Sequence, residues 1–128
     1  MSHTSQDVHK KVLGRKSEKL VEEYLKKQGI KILKRNYRTP FGEADIVAKD
    51  GDTIVIVEVK TRRSTYLVEP ETAVDVFKQR NLIWAANSFV NRFQYDNDIR
   101  FDIISIVIDR NNEKRIEHIE DAFYPSLR

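Results

Sequence analysis

The sequence predicts an α/β protein: a central, mixed five-stranded sheet flanked by helices, in the order α-β-β-β-α-β-β. Three observations carry this. The run TIVIVEV, residues 53–59, is apolar on both alternating faces, as in a central strand covered on both sides. Asp50-Gly51 joins it to the preceding apolar segment as a hairpin. A long helical-period segment then separates it from the next strand, as in a β-α-β crossover, which is right-handed.

The elements follow in order. Residues 7–28 read as a helix, with Leu20, Val21, Tyr24 and Leu25 on one face and Gly29 as its stop. Residues 30–37 alternate as a first strand, with Ile30 and Ile32 inward. Residues 39–42 (TPFG) form a turn. Residues 43–49 make the second strand and 52–61 the third. After a polar loop, Pro70 suits the first turn of a helix reaching Arg92. On that helix Ala73, Val74, Phe77, Leu82, Ala85, Ala86, Phe89 and Phe93 recur at helical spacing and are expected inward. Residues 100–109 and 115–119 are the last two strands, and residues 120–124 a final helical turn.

A chain of 128 residues fits one domain, here residues 7–128 after a flexible stretch of residues 1–6. The absence of cysteine excludes disulfides and thiolate chemistry and suits a reducing compartment. No apolar run approaches the roughly 20 residues of a membrane span, and the first residues lack an apolar signal core. A cytoplasmic protein with no membrane association is expected. The net charge of +3 is unevenly spread. Residues 10–38 hold 11 Lys/Arg against 3 Glu, whereas residues 98–121 hold 4 against 7 Asp/Glu. The basic first third suits a polyanion such as nucleic acid, or a solvated, lysine-rich helix face.

The charges in the central hairpin GEADIVAKDGDTIVIVEVKTR, residues 42–62, need a separate reason. Glu58 and Lys60 share a face with Ile54 and Ile56, and Glu43 shares one with Asp45. If residues 50 and 51 form the turn, Glu43 opposes Glu58, and Asp45 opposes Ile56 as the diagonal neighbour of Glu58. Asp45, Glu58 and Lys60 then converge at one end of the sheet. Two carboxylates at close range repel unless a cation lies between them. Oxygen ligands without His or Cys favour Mg²⁺ or Mn²⁺. Such an ion binds phosphodiester oxygens and lowers the pKa of bound water, and a nearby lysine steadies the phosphate charge. An internal Glu58–Lys60 ion pair is the structural alternative. Glu18 either reaches the sheet edge, helped by Gly14, or pairs with Arg15 on a wet face. Arg62 and Arg63 follow the motif strand as phosphate contacts, or as a wet loop. Lys78 and Arg80 occupy the polar side of the second helix, with Gln79 a further candidate to enter the site. Tyr37 and Arg38, at a strand end, could stack on a base, but a rim aromatic packing on the core is the preferred reading of Tyr37. Trp84 is core or interface, Asp102 structural, and His3, His9 and His118 are surface groups without ligand spacing.

Asp45, then twelve residues, then Glu58-Val59-Lys60 resembles the active-site motif of PD-(D/E)xK nucleases, although Ala44 stands where the motif name puts proline. GRKSEKLVEEYLKKQG, KRNYR, GEAD, VEVKTR, Lys78-Gln79 and RFD at Arg100 to Asp102 resemble the YraN-like family of bacterial proteins over nearly the whole chain. The Gly14-to-Glu18 spacing is similar to that of archaeal Holliday-junction resolvases. These resemblances imply a restriction-endonuclease-like three-layer fold and a Mg²⁺- or Mn²⁺-dependent endonuclease acting on DNA, including branched or damaged DNA. They imply Asp45, Glu58 and the Val59 carbonyl as metal ligands, Glu18 as an outer ligand and Lys60 as the catalytic lysine. Arg15, Arg38, Arg62, Arg63, Lys78 and Gln79 would contact the nucleic acid, and by analogy with the resolvases the protein would pair as a homodimer. A binding module that keeps the site without turnover is the competing expectation.

Overall fold

The structure, a computed structural model, describes residues 17–64 and 74–123. Gly14, Arg15 and Pro70 lie outside them, so the expectations attached to those residues do too. Helix α1 covers residues 17–27. Strands β1 (Lys31–Thr39), β2 (Gly42–Asp50) and β3 (Thr53–Arg63) follow, then helix α2 (Val76–Arg92) and strands β4 (Ile99–Ile108) and β5 (Lys114–Ile119). The strands lie side by side in sequence order in one five-stranded sheet. Only β3 and β4 run parallel; the other pairs are antiparallel. This is the expected mixed sheet and element order.

Each boundary has a local cause. At the end of α1, Ile30 N–H donates to Leu25 O at 2.9 Å and Gly29 N–H to Lys26 O at 3.0 Å, with Gly29 at φ +79°. That is a Schellman ending, and its two apolar residues, Leu25 and Ile30, share one core cluster. Helix α2 starts at Val76 rather than near Pro70, because Asp75 caps it: its carboxylate accepts from Lys78 N–H at 2.8 Å. Residues 120–121 form a turn, and no helical turn follows through residue 123.

The hairpin loop is shifted by one residue from expectation. Asp50 pairs with Thr53, so Gly51 and Asp52 are the loop residues. Gly51 has φ +60°, which a type II′ turn requires at its first central position and which glycine adopts without steric cost.

The sheet is buried on both faces. Against α2 lie Val47, Ile54, Ile56 and Phe101, packed with Leu82 and Phe89. Against α1 lie Ile46, Val55, Val57 and Ile104, packed with Val21 and Leu25. The three layers thus arise from the double-sided apolar pattern of β3. Phe77 and Phe93, expected inward, are exposed, since α2 needs only the narrower stripe of Leu82, Ala85, Ala86 and Phe89 to cover the sheet. Among the described residues no helix is long and apolar enough to cross a membrane.

Candidate phosphodiester site at the opening of β2 and β3

Asp45 sits at an irregularity shared by two strands. Ala44 joins the α2-side core while Ile46 and Ala48 join the α1-side core, so the period-two alternation of β2 breaks at Asp45. Across from it, Asn36 adopts φ +49°, and the β1–β2 ladder passes from Arg35↔Ile46 to Tyr37↔Ala44 without pairing Asn36 with Asp45. The β2–β3 ladder ends at the same place, with Ile46↔Val57 as its last pair. Continued by one residue, that register sets Asp45 directly across from Glu58; the expected diagonal relationship becomes a direct one because the turn is shifted.

Beyond this point a side chain replaces the ladder. Val59 N–H donates to Asp45 Oδ2 at 2.8 Å. In a strand the N–H and C=O of one residue point to the same side. The Val59 carbonyl therefore also points toward the opening between β2 and β3. The Asp45 and Glu58 carboxyl groups lie close enough to interact directly. Burial, then the Asp45 carboxylate, pushes the Glu58 carboxyl up to about 8. Lys78 pulls in the opposite direction without cancelling them. At neutral pH Glu58 thus holds its proton.

Helix α2 delivers a cation. Lys78 Nζ lies 3.1 Å from Glu58 Oε2, and the Glu58 side chain is only 8% exposed. The structural alternative anticipated for Glu58 paired it with Lys60; the structure sets Lys78 against it from the helix side. Lys60 is half-buried two residues along the same face of β3 and has interacting neighbours of its own. Its parallel partner in β4 is Ser105.

Glu18 approaches from α1. Burial raises its pKa first, and the Asp45 and Glu22 charges raise it further, against a hydrogen bond from the Asn36 side chain and the charge of Arg38. Glu18 therefore lies near enough to Asp45 to feel its charge. Among the described residues no group of three or more His, Cys, Asp or Glu side chains has metal-holding geometry. Asp45 and Glu58 with the Val59 carbonyl form a hard, all-oxygen donor set that could hold Mg²⁺ or Mn²⁺. A divalent ion would take the place of the proton that Glu58 holds.

The other candidates are dispersed. Arg38 and Glu43 are exposed and 3.6 Å apart, so Glu43 faces Arg38 at the rim instead of Glu58. Arg62 pairs with Glu117 at 3.0 Å, and its buried Nε has no hydrogen-bond partner. Arg63 is exposed and donates to Asn112 at 3.4 Å. Gln79 turns away from the site, donating its side-chain amide to Val74 O at 2.8 Å. Tyr37 is buried, with its hydroxyl 2.9 Å from Ser88 Oγ.

His118 is not a surface group. It bridges Tyr24 Oη at 2.9 Å and Asp102 Oδ2 at 2.7 Å, with its side chain 9% exposed. Asp102 also accepts two hydrogen bonds from Arg100, at 2.9 and 3.0 Å. Burial pushes the Asp102 carboxyl up, but His118 and Arg100 outweigh it and hold the carboxyl below its usual range. This network fastens β4, β5 and α1 and is structural, as expected of Asp102.

The family model described as "Uncharacterised protein family UPF0102" matches residues 17–106, from α1 into β4. The chain is 47% identical over 112 residues to a UPF0102 protein of Thermodesulfovibrio yellowstonii, covering 88% of this chain and 96% of the relative. It is 45% identical over 115 residues to a UPF0102 protein of Bacteroides thetaiotaomicron, covering 90% and 94%. A relative from Geobacter sulfurreducens is 46% identical over 116 residues, covering 90% and 91%. With the match spanning both helices and most of the sheet, the chain belongs to the UPF0102 family.

Proposed function

We propose that the protein is a metal-dependent endonuclease-like hydrolase of DNA phosphodiester bonds, built on a PD-(D/E)xK site. The observation that carries this reading is the Asp45–Glu58 carboxyl pair at the point where β2 and β3 part, with Val59 presenting its backbone to the same opening. An acid pair with one member buried serves stability poorly. An apolar strand end would cost less, whereas here Glu58 is driven to hold a proton at neutral pH.

Asp45, Glu58 and the Val59 carbonyl would hold Mg²⁺ or Mn²⁺, with Glu18 as an outer ligand. When bound, the ion would supply charge neutralisation of the phosphate and a water of lowered pKa. Lys60 and Lys78 flank Glu58 and would steady the negative charge that gathers on the phosphate oxygens. Arg38, Arg62 and Arg63 lie farther out and would contact neighbouring phosphates.

The contact of Lys78 with Glu58 favours a second reading. A lysine seated on the metal-binding carboxylate suits a nucleic-acid-binding module that keeps the site and does not turn over. A cleavage panel separates the two: linear, nicked and four-way DNA, with Mn²⁺ or with chelator, for wild type, Asp45→Asn and Glu58→Gln. Cutting that needs Mn²⁺ and is lost in both variants supports the hydrolase. Salt-dependent binding with no cutting on any substrate supports the module.

A further inference from the structure

Two exposed aromatic rings lie beside the candidate site. Phe41, at the tip of the β1–β2 hairpin, and Trp84, on α2, are 68% and 55% exposed. Their ring centroids are 5.5 Å apart with the planes tilted by 40°. Soluble proteins seldom leave two neighbouring large rings in water without a use for them. The pair is rigidly mounted. Gly42, directly after Phe41, packs so closely on α2 that a Cβ there would collide with the Asn81 backbone. Thr39 stiffens the tip, accepting from Gly42 N–H at 2.9 Å and donating to Gly42 O at 2.8 Å.

The surroundings are basic and continuous with the site. Arg80 precedes Trp84 by one helical turn and is exposed. Arg38, 76% exposed in its side chain, stands at the base of the hairpin tip, with Glu43 beside it as the acidic exception. Lys78, which reaches Glu58, is six residues before Trp84 on the same helix. At 1.5 Å of rise per residue the ring is about 9 Å along the axis from the lysine. That is roughly two or three nucleotides at 3.4 Å each. Between the tip and α2 lies a shallow pocket of about 250 Å³ whose polar lining includes Thr39, Glu43 and Asn81.

Rings for stacking, interleaved with cations for the backbone, are how proteins hold single-stranded nucleic acid. We propose that Trp84 and Phe41 stack on unpaired bases of the substrate, so that the protein acts where a strand leaves the duplex, at a flap, a gap or a junction arm. This rests on the nucleic-acid reading of the Asp45–Glu58 site and adds the class of substrate to it. Paired bases would not serve, because their faces are already covered within the duplex.

Trp84 is the chain's single tryptophan, so its emission reports on this surface alone. Full-length protein is titrated in chelator with an oligothymidylate and with a blunt duplex of equal phosphate content. The single strand is expected to quench Trp84 emission to saturation and the duplex to leave most of it. Labelled-oligonucleotide anisotropy then compares wild type with Trp84→Ala, Trp84→Phe and Phe41→Ala. Both alanine variants should bind the single strand roughly 5- to 150-fold more weakly, Trp84→Phe should retain most of the affinity, and duplex binding should change little. Three outcomes overturn the proposal. They are emission unmoved by saturating single strand, alanine variants that bind it like wild type, and emission that follows protein concentration, which would mean a second copy covers the rings. No cleavage is needed for any of these readings, so an inactive protein that quenches would defeat the hydrolase reading alone. Metal-dependent cutting of duplex with no quenching would defeat the stacking alone.

Discussion

Lys78 on α2 reaches across to Glu58 on β3, 3.1 Å from its carboxyl group, and so ties the helix layer to the acid pair at the opening of the sheet. The pair is unequal. Glu58 is almost wholly covered while Lys78 keeps about a third of its side chain in water. Solvent screening therefore limits what the contact contributes, to about 1 kcal/mol. A double-mutant cycle with Lys78→Met and Glu58→Gln should give a coupling energy of that order in chelator. In millimolar Mn²⁺ the coupling should shrink if the ion takes the carboxylate, whereas an unchanged value would favour the module that keeps Lys78 on Glu58.

The pH dependence of stability follows from Glu58. Its carboxyl titrates near 8 in the folded chain and at the ordinary glutamate value of 4.5 when unfolded. Between those values the folded state binds more protons, so stability falls as pH rises through this window. Glu58→Gln keeps the shape and removes the titration. Thermal unfolding in chelator should place wild type and variant close together at pH 5. At pH 8.5 the variant should melt several degrees higher. A wild type that gains stability relative to the variant across this range would contradict the assignment.

Asp102 has the opposite sign. Its carboxyl is held below the ordinary aspartate value by His118 and Arg100 in spite of burial, so its contribution is present above pH 4 and is lost as pH falls through the folded value. Removing the carboxylate takes the shared buried partner from both Arg100 and His118, leaving Arg100 with Asp50 and His118 with Tyr24. Asp102→Ala should cost about 3–5 kcal/mol in denaturant unfolding. Asp45→Asn, at the rim of an opening, should cost far less. A loss of cutting in Asp45→Asn with the melting temperature retained would therefore belong to the chemistry and not to the fold.

Much of this arrangement was legible in the sequence, and the limits were physical. The apolar run of β3 announced a strand covered on both faces, and its two cores bear that out. The hairpin was readable from Asp50-Gly51, but its register was not. Glycine could serve as either central residue, and the choice moved Asp45 from a diagonal to a direct neighbour of Glu58. Lys78 could be seen only as part of a polar helix face, because what it faces depends on how α2 settles on the sheet. The Asp75 cap was the available signal for the true start of α2 and would have fixed the phase of that face. His118 carried no such signal, since its partners Asp102 and Tyr24 are 16 and 94 residues away in the chain.

Gly42 sets the distance between the β1–β2 hairpin and α2, and with it the positions of Phe41, Glu43 and Asp45. An added methyl would meet the Asn81 carbonyl and the backbone behind it, not the end of a flexible side chain. Relief requires the hairpin tip or the helix to move. Gly42→Ala should therefore destabilise the protein by about 1–3 kcal/mol, as overpacking does. Gly51→Ala offers a contrast: open space surrounds the added methyl, and only the positive φ resists it. Both variants should lose stability in urea. Only Gly42→Ala should also change the Trp84 emission of the folded protein, because only it displaces the ring that Phe41 packs against.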